Sequence, residues 1–113
     1  MKKVDLHLHT IATPSDARFD FSLDTLQKYV ELAELDCIAI TNHNVFDEQQ
    51  YNEIAKTLGI KVLPGIEVDL EGGHILVVAD DTDVIDFATK CREIEQIVTY
   101  PNPKVTLEEF KRI

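Results

Sequence analysis

Tryptophan is absent from this sequence, and Cys37 and Cys91 are its only cysteines. Two cysteines cannot build the multi-bridge framework of a small secreted scaffold, and Cys37 inside the apolar run CIAI reads as a small buried thiol. Four glycines and four prolines exclude collagen-like and low-complexity chains. No run approaches the roughly 20 apolar residues of a membrane span. The opening MKKVDLHLH has basic residues with no apolar segment behind them, so a secretory signal is not supported and a cytoplasmic location is expected. Basic side chains are scarce, 11 against 21 acidic ones, for a net charge of −10. A field of that sign repels phosphate backbones and suits divalent cations. With 44% apolar and 28% charged residues the composition is that of a globular protein, read here as one domain over 1–113. At 113 residues it is short for an α/β barrel, which needs about 250.

What is present alternates between strand and helix patterns. Val4 to His9 has period two, with Val4, Leu6 and Leu8 expected on one face and Asp5, His7 and His9 on the other. Phe21 to Leu35 carries apolar residues at three-and-four spacing behind Ser22, a candidate N-cap. Cys37 to Ile40 is a continuous apolar run, as in a parallel strand buried on both faces. Asp47 to Leu58 reads as a helix ended by Gly59. Ile60 to Val68 reads as a strand interrupted by Pro64-Gly65, and His74 to Ala79 as another after a turn at EGG. Asp83 to Ile97 reads as a helix, YPNPK as a loop, and Thr106 with Glu109 as a capping box opening a last helix. The β-α-β-α-β order predicts an α/β fold with a parallel sheet.

All four histidines fall near strand ends: His7 and His9 on the first strand, His43 after the second and His74 after the turn that follows the third. In parallel α/β folds the C-terminal strand ends are where sites are built. Asp5, Asp16 and Glu67 belong to the same rim. Imidazole nitrogens with carboxylate oxygens form the ligand set of zinc, manganese and iron, and His-x-His puts two imidazoles on one strand face. A lone pair of this kind is a weak signal; four histidines with carboxylates at successive strand ends make a metal site the expectation. Asp5 is expected to orient His7 or His9 rather than to ligate. Asp69 and Glu71 are read as solvated strand residues, and Lys104, Lys111 and Arg112 as the polar face of the last helix. Arg18, beside the Asp16 loop, either holds a substrate phosphate or pairs with Asp20.

DLHLHT, PSD, IAITNHN and PGIEVDLEGGHIL, taken together and in this order, resemble the first three motifs of the PHP (polymerase and histidinol phosphatase) family. The resemblance spans Lys3 to about Val78. It implies the N-terminal part of a distorted, TIM-like (β/α)7 barrel of parallel strands and alternating helices, with a two- or three-metal site that hydrolyses phosphoesters. Carried over residue by residue, it gives His7, His9 and Glu67 to one divalent ion (Zn, Mn or Fe), Glu67 and His74 to a second, and Asp16 and His43 to a third. Hydroxide generated at the metals would be the nucleophile, with no catalytic side chain. The substrate would be a phosphoester, with nucleotide or nucleic acid reached through a longer parent protein. A looser resemblance, in HTIATPSDARFDFS, is to PHP domains fused to AAA-type or SMC-like ATPases.

The sequence departs from the family pattern in three places. Asn42 stands where aspartate is usual, so that partner to the ligands carries no charge. The step from Glu67 to His74 is short: a two-residue turn at Gly72-Gly73 would set Glu67 opposite Val78 and leave His74 about 13 Å along the partner strand. The metal reading therefore predicts a wide loop from Val68 to Gly73. Finally, no histidine follows His74, whereas the family adds a later histidine and an Asp-x-His pair; Tyr100-Pro101 is similar to its His-Pro only superficially. The expectation is an incomplete, weakly active or inactive fragment of the domain that self-associates through its unpaired edge. The alternatives are a non-catalytic metal-stabilised module supporting an ATPase or polymerase, and an amidohydrolase, which shares the initial His-x-His.

Overall fold

A computed structural model describes residues 2–98 and 103–113. Strands β1 (Val4–Leu8), β2 (Cys37–Ile40), β3 (Lys61–Leu70) and β4 (Gly73–Val78) form one sheet in that order. Helices α1 (Leu23–Leu32), α2 (Glu48–Leu58), α3 (Val84–Ile97) and the single turn α4 (Leu107–Phe110) alternate with them. The β1–β2 and β2–β3 pairs are parallel and β4 returns antiparallel to β3, so the fold is an α/β half-barrel with a mainly parallel sheet. Of the loop read at YPNPK, residues 100–102, Tyr100-Pro101 among them, lie outside the described residues.

The helix boundaries follow local chemistry. Ser22, Asp47, Asp83 and Thr106 each accept a backbone N–H three residues on, as side-chain N-caps do. Gly59 ends α2 in the left-handed conformation at φ 70°. α1 stops at Leu32, short of the Leu35 expected, because Glu34 turns left-handed at φ 55° and Leu35 N–H closes on Val30 O at 3.0 Å. The Thr106 capping box forms only in part: the Glu109 carboxylate accepts from the Thr106 hydroxyl at 3.2 Å.

β3 is longer than predicted and is not broken at Pro64-Gly65; it changes partner there. Lys61 to Pro64 pairs with β2, whereas Gly65 to Leu70 pairs with β4. Pro64 has no N–H to give, but its carbonyl still accepts from Ala79 N–H at 2.9 Å. A Cβ at Gly65 would lie 2.8 Å from Thr41 Cγ2, 2.9 Å from Ile40 O and 3.0 Å from Val77 O. Glycine is what lets both neighbouring backbones approach.

One apolar core fills the space between sheet and helices. Leu26 and Val30 of α1, Tyr51, Ile54 and Leu58 of α2, and Phe87, Ala88, Cys91 and Ile94 of α3 pack on Ile38, Ile40, Val62, Ile66, Val68 and Leu70. Each fully buried aliphatic contributes about 2 kcal/mol relative to an exposed position. Both cysteines are free, and burial pushes the Cys91 thiol up to about 12. Among the described residues no helix is long and apolar enough to cross a membrane.

The expected apolar face of β1 is only partly realised. Asp5 pairs with Ile38 and Leu8 with Ile40, three steps on β1 against two on β2, so the register shifts between them. Leu8 packs against the core, while Val4 and Leu6 stay 52% and 41% exposed. The Asp5 carboxylate meets no imidazole among the described residues: it accepts from the Tyr29 hydroxyl of α1 and from the His7 backbone amide.

Candidate metal centre

Because β1, β2 and β3 run parallel, their C-terminal ends meet at one rim. The contact continues past the strands through Thr41 N–H to Leu8 O, Glu67 N–H to Asn42 O and Asn44 N–H to Glu67 O, all between 2.8 and 2.9 Å. His43 thereby bridges to Glu67 in parallel register. Asn42 is buried and anchors the chain leaving β1: its carbonyl accepts the Thr10 and Ile11 amides at 2.7 and 2.9 Å, and its amide donates to Thr10 Oγ1. An aspartate could not make that donation, which is what the departure from the family pattern achieves here.

Six of the predicted residues converge at this rim. Glu67 Oε1 lies 2.6 Å from His7 Nε2, 2.9 Å from His9 Nε2 and 3.7 Å from His43 Nε2, and Glu67 Oε2 lies 3.7 Å from His74 Nδ1. Asp16 Oδ1 lies 3.0 Å from His9 Nδ1 and 3.6 Å from His43 Nε2. Thr13 holds the other Asp16 oxygen through its amide and hydroxyl at 3.0 and 2.9 Å. Three overlapping donor groups result: His7, His9 and Glu67; His9, Asp16 and His43; and His43, Glu67, Asp69 and His74.

The donor chemistry fits a divalent cation. Tetrahedral zinc with ligands near 2.1 Å holds them about 3.4 Å apart; His43 Nε2 lies near that spacing from Asp16 and Glu67, at 3.6 and 3.7 Å, while His7 and His9 stand at hydrogen-bond distance from Glu67, at 2.6 and 2.9 Å. A neutral imidazole has one N–H and one lone pair, yet both ring nitrogens of His9 and of His43 face carboxylate oxygens. In each ring one of those contacts needs a second proton or a cation between the atoms.

Asp69, read as solvated, is 4% exposed and central to the site. Its Oδ1 lies 2.6 Å from His74 Nδ1 and 3.2 Å from His43 Nδ1. Its Oδ2 accepts from Ser15 Oγ at 2.7 Å and Asn44 Nδ2 at 3.0 Å, and its own N–H donates to Asn44 Oδ1 at 2.8 Å. Asn44 adopts φ 60°, which asparagine tolerates, to make this exchange. Alternation puts Asp69 on the strand face of Glu67, as it puts His7 and His9 on one face, but says nothing of what the carboxylate touches there.

The wide loop expected before His74 is not there. The hairpin is tight, but its turn is Glu71-Gly72, with Gly72 at φ 85°, one residue earlier than considered. Asp69 therefore faces His74, and Glu67 faces Leu76, one diagonal step away on the same face. Long side chains span that diagonal, so His74 stays at the cluster despite the tight turn. Asp5 does not orient an imidazole: it accepts the His7 amide at 3.1 Å and the Tyr29 hydroxyl instead. Arg18 is exposed and forms no ion pair among the described residues, with Asp20 or with the cluster.

The carboxylates are tuned alike. Burial pushes each one up, and in each it is outweighed. For Asp16 the Thr13 amide and hydroxyl and the nearby His43 and His9 charges bring the pKa below its ordinary value. For Glu67 hydrogen bonds from His9 and His7 and the His43 charge do so. For Asp69 hydrogen bonds from Ser15, Asn44 and His74, with the His43 charge, bring it down to about 2. All three are anions at neutral pH, as metal donors and their supports must be.

A family model described as PHP domain matches residues 5–112, which take in the whole donor set. No curated protein and no solved structure matches the chain.

Proposed function

This chain belongs to the PHP domain family, a family of metal-dependent phosphoesterases, and from that membership we propose that it serves as a metal-dependent phosphoesterase domain. In this reading His7, His9 and Glu67 would hold one divalent ion, Glu67 and His74 would serve a second, and Asp16 and His43 a third, all six residues lying within the three donor groups. Bound divalent ions supply Lewis-acid polarisation of a phosphoryl oxygen and a water acidified toward neutral pH. The chain's own part is to hold the donors together, keep Asp16 and Glu67 ionised, and present the open rim at which His7 and His74 are more than half exposed. The observation that carries this reading is the placement of carboxylate oxygens at both ring nitrogens of His9 and His43. Arg18, exposed and unpaired among the described residues, is assigned to the substrate phosphate, so Arg18→Ala should raise KM for a phosphoester and leave metal content unchanged.

The substrate in this reading is a phosphoester carried by a small molecule or nucleotide; the net charge of −10 disfavours direct binding of nucleic acid. The test begins with elemental analysis of the dialysed protein beside His7→Ala and Glu67→Ala. One or more divalent ions per chain, lost in both variants, supports the site. Hydrolysis of p-nitrophenyl phosphate or bis(p-nitrophenyl) phosphate by the metal-loaded protein, with no turnover of amide substrates, then supports the activity and excludes the amidohydrolase. A second reading, a module that metal stabilises without hydrolysis, is favoured by one observation. Among the described residues no lysine or arginine lines the cavities at His9, His43 or His74. Metal-dependent stabilisation without turnover would select it.

A further inference from the structure

Glu67 and Asp69 sit two residues apart on one strand face and are equally buried, but their lone pairs are used differently. Every polar contact of the Glu67 carboxylate among the described residues is an imidazole nitrogen. Asp69 is saturated: Oδ1 faces His43 Nδ1 and His74 Nδ1, while Oδ2 accepts from Ser15 Oγ and Asn44 Nδ2. An ionised carboxylate has about four acceptor sites. Four partners fill them, so within the group of His43, Glu67, Asp69 and His74 it is Asp69 whose lone pairs are already taken.

A carboxylate can only accept, so the nitrogen that faces Asp69 must be the one that carries hydrogen. For His43 that nitrogen is Nδ1, and its Nε2 points the other way, 3.6 Å from Asp16 Oδ1 and 3.7 Å from Glu67 Oε1. For His74 it is again Nδ1, 2.6 Å from Asp69 Oδ1 and farther, 3.7 Å, from Glu67 Oε2, so the lone pair of that ring is on Nε2 and not on the nitrogen nearest Glu67. His7 and His9 likewise turn Nε2 to Glu67.

We propose that Asp69 is a positioning residue that fixes both His43 and His74 as the Nδ1–H tautomer, so that each offers Nε2 as its donor. One carboxylate thereby sets two imidazoles on different strands, and Ser15 ties it to the loop that carries Asp16. The tautomer assignment stands on these contacts alone; its consequence for metal rests on the reading under Proposed function.

The test is long-range 1H–15N correlation of the imidazoles in the full, metal-free chain, with Zn2+ affinity measured by chelator competition for wild type and Asp69→Asn. The expected result is hydrogen on Nδ1 of both His43 and His74. Asp69→Asn should mix the tautomers and weaken Zn2+ by about 10- to 100-fold, with the fold retained by circular dichroism. Asp69→Glu should recover part of the loss. A ring of the wild type that carries hydrogen on Nε2 and none on Nδ1 overturns the proposal, as does unchanged Zn2+ affinity in a folded Asp69→Asn. If Asp69→Asn does not fold, or if the wild type takes up no Zn2+, the wild-type tautomers decide alone. Absence of Zn2+ binding with Nδ1–H rings would count against the phosphoesterase reading and for this one.

Discussion

Glu67 and Asp69 are the same kind of side chain at the same depth on the same strand, and they do different work. Among the described residues the polar contacts of the Glu67 carboxylate are all imidazole nitrogens, and Glu67 lies across from the exposed Leu76; Asp69 is enclosed by a hydroxyl, an amide and two ring nitrogens and lies across from His74. Burial therefore does not separate the two. What distinguishes them is whether the carboxylate's lone pairs are already taken by N–H and O–H groups.

The largest effect expected along this comparison is at Glu67. Glu67→Gln should abolish tight metal binding, and the melting temperature should no longer respond to metal or chelator, whereas that of the wild type rises with divalent metal. A Glu67→Gln chain that keeps its metal would erase the contrast between the two carboxylates.

Asp69→Asn should instead destabilise the metal-free fold, by about 2 kcal/mol in urea denaturation, because buried donors lose an acceptor. The pH dependence carries the sign. The folded Asp69 carboxyl titrates near 2, below its ordinary 3.8, so its stabilisation is complete above about pH 4 and is lost as pH falls toward 2. Urea midpoints of wild type and Asp69→Asn should therefore converge over that window. A gap that persisted at pH 2 would show that the carboxylate's charge is not what holds the region.

Gly65→Ala disturbs the strand that carries both residues. Its Cβ meets two backbone carbonyls at 2.9 and 3.0 Å, so a loss of about 1–3 kcal/mol is expected in the same denaturation assay. A neutral result would mean that β2 and β4 yield without moving the donors.

The smallest effect concerns the exposed residue opposite Glu67. Leu76 belongs with Val78 on β4 and with Val4 and Leu6 on β1 to the apolar side chains left in the open at the two sheet edges. We propose that the chain self-associates through them, opposed by its net charge of −10. Sedimentation velocity should show a salt-strengthened dimer or larger species that Leu76→Asn weakens. A monodisperse monomer in high salt would contradict it.

Much of the site was legible because its signals are local. The period of DLHLHT brings His7 and His9 to one face, the apolar run CIAI makes β2 a buried parallel strand, and parallel strands bring His43 and Glu67 to the same rim. The caps Ser22, Asp47 and Gly59 were readable for the same reason, since each acts within one helical turn. Three features were not. The register shift between Asp5 and Leu8 depends on β2, which no residue in VDLHL reports. The hairpin turn falls on Glu71-Gly72 rather than Gly72-Gly73, and both dipeptides offer a glycine.

Asp69 is the third, and it marks the boundary between what sequence and tertiary structure each decided. The sequence by itself determined which residues can donate to a metal and which strand ends they occupy, because ligand chemistry and side-chain alternation are local properties. Only the tertiary structure decided which carboxylate keeps its lone pairs free. That choice depends on Ser15, 54 residues from Asp69 in the chain, and on His43 and Asn44, 26 and 25 residues away. Hydrogen-bond saturation is settled by whichever donors the fold brings within 3 Å or so, and no periodicity along the chain encodes it.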